Sequence, residues 1–151
     1  MRAAGIALPL LRSNKKEVAM FVGGCYCKAI RYEADDTPVN RTICHCTMCR
    51  GTTGAPCVAW FSVPTTHFRY TKGSPTLFRS STHATRAFCA VCGTQLTFTD
   101  DASADQIDVT TCSLDVATGT EPESHIFTRS QVPWLKLDDG LPGYTGGRSG
   151  G

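Results

Sequence analysis

Residues 57–63 read Cys-Val-Ala-Trp-Phe-Ser-Val. This short run is rich in β-branched and aromatic side chains, bounded by turn-formers, and suits a strand buried in a core. The same signal recurs on both sides of it. Over 29–34, Ile30, Tyr32 and Ala34 alternate with other residues and share one face. Residues 68–71 form another strand, which Lys72-Gly73-Ser74-Pro75 ends. Residues 77–80 follow, Leu96 and Phe98 alternate with polar residues over 95–99, and 107–114 is Thr-rich and β-branched. Trp134, Leu135 and Leu137 make a last short apolar segment. No stretch carries a long helical period; short helical turns are expected after Cys46 and across 114–118. The chain is therefore read as mainly β, with the strand spacing of a sandwich or barrel-like sheet pair.

The bulk properties agree with one soluble domain. The chain has 151 residues, enough for a real core, with 41% hydrophobic and 19% charged residues. Its net charge is +2 and no Lys/Arg stripe stands out, so neither composition nor pattern argues for nucleic acid. Residues 1–20 contain the short apolar run 3–11, flanked by Arg2 and Arg12, which is too short to span a membrane. They are read as a disordered extension, 21–139 as the folded domain, and 140–151 as a Gly-rich flexible tail.

Nine cysteines are many for this length. The odd count, the absence of a signal-peptide pattern and the tight clustering speak for metal ligation over a disulfide scaffold. Reduced thiols in turn point to the cytoplasm. The clusters are Gly23-Gly24-Cys25-Tyr26-Cys27, Cys44-His45-Cys46-Thr47-Met48-Cys49-Arg50 and Phe88-Cys89-Ala90-Val91-Cys92-Gly93. In an extended Cys-x-Cys both thiols face one way, and Cys-x-x-Cys-Gly is a tight knuckle whose glycine tolerates the following conformation. Structural zinc takes four such ligands, and three protein ligands with a vacancy mark a catalytic zinc. Cys25 and Cys27 with Cys89 and Cys92 would close one site and leave Cys44, Cys46 and Cys49 as three. Counting alone also allows Cys44 and Cys46 to join Cys89 and Cys92.

GGCYC at 23–27, CHCTMCRGTTGAP at 44–56, RAFCAVCGTQL at 86–96, ESHIF at 123–127 and PWLKLDDGLP at 133–142 together resemble the glutathione-dependent formaldehyde-activating enzyme family, which includes the centromere protein V group. The resemblance spans about residues 21–145. It implies a tent-like arrangement of β-sheets and two zinc ions per chain. The structural ion would be held by Cys25, Cys27, Cys89 and Cys92, the catalytic one by Cys44, Cys46 and Cys49. Lys28 stands where the family often has glycine, which is expected to alter a local turn and not ligation.

A zinc ion with three thiolates has a net charge of about −1, so it polarises carbonyls and water poorly, yet it can hold a further thiol deprotonated. That suits carbon–sulfur chemistry, a lyase or synthase acting on a glutathione–aldehyde adduct such as S-hydroxymethylglutathione. The alternative is a non-catalytic zinc module for a protein or small ligand. Arg50 is best placed in sequence to meet a carboxylate of glutathione; Lys28 and Arg86 flank the other clusters, and all three could simply balance thiolate charge. His45 is expected to point away from the ion, its other roles being fourth ligand or proton shuttle. His125 is read as structural. Cys57 and Cys112 are read as core thiols, Cys57 also as a possible fourth ligand, and Trp60 and Trp134 as core aromatics or pocket walls.

Overall fold

The computed structural model describes residues 19–35 and 37–147. The extension read at 1–20 lies almost wholly outside them. Among the described residues, ten strands and one short α-helix make up the fold. They are β1 (Met20–Gly24), β2 (Arg31–Asp35), β3 (Val39–Cys44), α1 (Thr47–Thr53), β4 (Val58–Pro64), β5 (Phe68–Lys72), β6 (Thr76–Arg79), β7 (Ala84–Phe88), β8 (Gln95–Asp100), β9 (Gln106–Thr110) and β10 (Ser124–Ile126). A three-stranded sheet runs β1-β2-β5 and a seven-stranded sheet runs β10-β3-β4-β9-β8-β7-β6. The mainly β reading holds.

Alternation decides which way each strand faces. Tyr32 and Ala34 on β2 are fully buried and meet Phe21 from β1 and Phe61, Val63, Ile107 and Val109 from the larger sheet. This is the main core, between the two sheets. On β4 the intervening residues Trp60 and Ser62 point to the opposite face, where Trp60 packs with Cys44 and Cys49. The larger sheet therefore has a core face and a second face bearing a smaller cluster.

Two expectations need correction. The strand read over 107–114 stops at Thr110, and residues 111–113 form a 3-10 turn instead of any helix at 114–118. There Ser113 Oγ donates to the Thr110 carbonyl at 2.8 Å, the side-chain-to-backbone competition that ends a ladder. The Trp134 segment is not a strand, and its indole is 69% exposed. Within the Gly-rich stretch, two carbonyls bond to β10 and the residue after it: His125 N–H donates to the Pro142 carbonyl and Phe127 N–H to the Gly146 carbonyl, each at 2.8 Å.

Candidate metal centre

Cys25 and Cys27 lie in the β1–β2 connection and Cys89 and Cys92 in the β7–β8 connection, so one set ties the small sheet to the large one. Their four sulfur atoms lie within 4.8 Å of one another, with Cys25–Cys27 at 3.5 Å and Cys27–Cys89 at 3.7 Å. Thiolates about 2.3 Å from a tetrahedral zinc stand roughly 3.8 Å apart, so the set fits that ion. The alternative pairing of Cys44 and Cys46 with the knuckle is not the one formed. Local backbone explains the aim of the thiols. Cys25 Sγ accepts from Ile30 N–H at 3.2 Å, and Tyr26 between the ligands is 91% exposed. The knuckle closes with Gly93 N–H on the Cys89 carbonyl at 2.8 Å, and Gly93 takes φ 77°. Lys28 sits in the left-handed region at φ 61°, which is where glycine would be at ease.

The second set is built where β3 runs into α1. Cys44 ends the strand, Cys46 caps the helix by accepting from Cys49 N–H at 3.2 Å, and Cys49 lies one turn on. The three sulfurs also lie within 4.8 Å of one another, and among the described residues no fourth Cys, His, Asp or Glu joins them. The Cys44 thiol alongside pulls Cys46 down to about 2, while the same contact pushes Cys44 well above the ordinary thiol range. Three thiols this close cannot all ionise unless a cation balances them.

One cation is already there. Arg86 on β7 is only 3% exposed, and its Nη2 donates to Cys49 Sγ at 3.5 Å. The guanidinium lies over the Phe98 ring, 4.9 Å from its centroid, while Nε and Nη1 have no partner among the described residues. Cys44, Cys46, Cys49, Arg86, Trp60 and Phe98 all line a cavity of ≈ 540 Å³ over the second face of the large sheet. The three-thiol set thus opens into a pocket of ligand size.

The other singled-out residues fall elsewhere. Arg50 donates to the Ser130 carbonyl and lines a separate cavity of ≈ 370 Å³, not the one containing the thiols. His45 turns away from the sulfurs and its Nε2 meets His125 Nδ1 at 2.9 Å. Cys57 is half-buried and joins neither set; Cys112 is exposed, because it lies on the turn after β9, so it is not a core thiol. Trp60 packs in the smaller cluster and also walls the cavity; Trp134 is no core residue but walls the separate cavity that Arg50 lines. Sequence reading passed over Asp108 and gave Arg86 no special place. The arginine's position before the knuckle was visible; its burial against Cys49 depends on the β7–β8 pairing.

Residues 20–130 match the family described as Glutathione-dependent formaldehyde-activating enzyme. A crystal structure of a Rhodobacter sphaeroides protein, a Northeast Structural Genomics target, has a similar fold, with TM-score 0.54, 18% identity, and coverage of 82% of this chain and 99% of that one. No curated protein sequence matches.

Proposed function

The chain belongs to the glutathione-dependent formaldehyde-activating enzyme family, and we propose that it joins or parts a small thiol and an aldehyde carbon, as a carbon–sulfur lyase or synthase with glutathione as the thiol. The observation that carries this reading is the three-thiol set facing a cavity with no fourth protein ligand among the described residues. When bound there, zinc supplies the charge that keeps an incoming thiol ionised near neutral pH. The protein's own groups do the rest. Cys44, Cys46 and Cys49 would hold the ion at the cavity wall, and Arg86 would offset part of their negative charge. Trp60 and Phe98 keep that wall apolar, so an adduct sits out of bulk water. In the net reaction the thiol adds across the aldehyde carbonyl: a sulfur–carbon bond forms and the oxygen takes up the proton the thiol gave up.

The binding-module alternative would be favoured by a set closed through His45 or Cys57, and neither is among the three-thiol ligands. We place the protein in the cytoplasm, a compartment that keeps thiols reduced; all nine cysteines are free, and among the described residues no helix is long and apolar enough to cross a membrane.

Calorimetry of the zinc-loaded protein with glutathione and S-methylglutathione, in two buffers of different ionisation enthalpy, tests the reading. Glutathione should bind more tightly, release about one proton, and gain affinity as pH rises toward a free thiol's pKa of about 8.5. Equal affinity without proton release would reject thiol capture and bring the module reading forward.

A further inference from the structure

Arg86, Phe98, Asp108 and Ser62 are successive register partners across β7, β8, β9 and β4. Directly opposed residues share a face, and all four line the cavity that holds the three thiols. Ser62 Oγ donates to Asp108 Oδ1 at 2.5 Å, and no partner for Oδ2 is found among the described residues. Among the described residues Arg86 keeps two N–H groups unpaired although it is only 3% exposed. The two opposite charges nevertheless make no ion pair among the described residues. Two strand spacings, roughly 10 Å, separate their backbones. The arginine bridges part of that gap by lying over Phe98. What is left suits a small group with a negative and a positive end.

We infer that this row is a recognition site for an amino-acid head, with Arg86 taking its α-carboxylate, Asp108 and Ser62 its α-ammonium, and Phe98 forming the floor. The site rests on the reading of this cavity as the thiol site. Glutathione carries such a head on its γ-glutamyl arm, which extends from the cysteine whose sulfur would meet Cys44, Cys46 and Cys49. An unpaired buried donor is costly, and a carboxylate supplies the missing acceptor. Asp108 has the matching need: burial pushes its carboxyl above the ordinary range, and an ammonium beside it would make the charged form favourable. Arg50, in its separate cavity, would not meet the same head.

The test is calorimetry of the full zinc-loaded chain with glutathione, with glutaryl-cysteinyl-glycine, which lacks the ammonium, and with 4-aminobutanoyl-cysteinyl-glycine, which lacks the α-carboxylate. Each deletion should weaken binding about tenfold, the size of one charge-assisted hydrogen bond. In Asp108→Asn, glutathione and the glutaryl peptide should bind equally. Equal binding of all three peptides to the natural protein, a deletion penalty unchanged in Asp108→Asn, or no binding of glutathione in any form would overturn the site. The S-methyl forms of the same three peptides separate this from thiol capture. If capture fails, methylated and free thiols bind alike, and the head penalty remains. If Asp108→Asn does not fold, the peptide series on the natural protein decides alone.

Discussion

His45 Nε2 and His125 Nδ1 stand 2.9 Å apart, in side chains 0% and 7% exposed. His125 Nε2 in turn meets the Asp139 carboxylate at 3.0 Å. The proton placement follows: His125 donates from Nε2 to Asp139 and accepts at Nδ1 from His45. His45 Nδ1 is then a bare nitrogen, consistent with its having no partner among the described residues, and burial holds the ring below its ordinary pKa and neutral. The pair ties the Cys44–Cys46 segment to β10.

His125→Phe should keep the ring volume but strand a buried N–H on His45. A loss of about 1–3 kcal/mol is expected by urea unfolding. Zinc from the three-thiol set should leave faster to a chelator, while the closed set keeps its ion. Unchanged release from both would mean the histidine pair does not brace the site.

Asp108 gives a pH signature. Its folded carboxyl is raised by burial, so its contribution to stability is present below the unfolded pKa of about 3.9 and is lost as pH rises through the folded value. Asp108→Asn should therefore be more stable than the natural protein without ligand at neutral pH. The margin should shrink as pH falls through the folded value toward the unfolded pKa of about 3.9, when unfolding midpoints of the two proteins are compared. A constant margin would place the carboxyl outside the titration.

The two cysteine sets should differ under mutation. Cys89→Ser removes a ligand that closes the link between sheets, and structural zinc contributes roughly 10 kcal/mol or more to folding, so insoluble or unfolded protein is expected. Cys49→Ser should retain near-natural circular dichroism and about one zinc per chain instead of two. Equal loss of stability in both variants would contradict the division.

Lys28→Gly should stabilise the protein. A non-glycine residue at φ 61° costs about 1–2 kcal/mol, of which glycine's extra unfolded-state freedom returns part. A rise of up to about 1 kcal/mol in unfolding free energy is expected, with zinc content unchanged. A fall would mean the Lys28 side chain stabilises the turn by contacts that outweigh its strain.

Much of this was legible in the chain because it depended on local geometry. Tyr32 and Ala34 alternate with polar residues, so β2 could be read; the Cys-x-Cys and knuckle spacings announced ligand sets before any contact was known. What could not be read depended on pairing. Over 84–88, Ala-Thr-Arg-Ala-Phe has too few large apolar side chains to advertise a strand, yet β7 carries the arginine that meets Cys49. Gly23 and Gly24 look like loop residues but end β1, because a Cβ would come within 2.5 Å of the Tyr32 ring at Gly23 and 2.2 Å of the Ile30 carbonyl at Gly24. The glycines beyond 140 look like a tail by composition, while backbone bonds to β10 are independent of side chains.

β7 serves both ligand sets, since Arg86 touches Cys49 and Cys89 follows three residues later. With zinc on both sets, as proposed, the two positions would be linked through this strand. Whatever disorders the knuckle, whether zinc starvation or oxidation of the exposed Cys27, frees the end of the strand that positions the guanidinium. On the proposed division of roles, losing the ion at the knuckle would weaken ligand recognition in the cavity, and occupancy of the cavity would in return protect that ion from release.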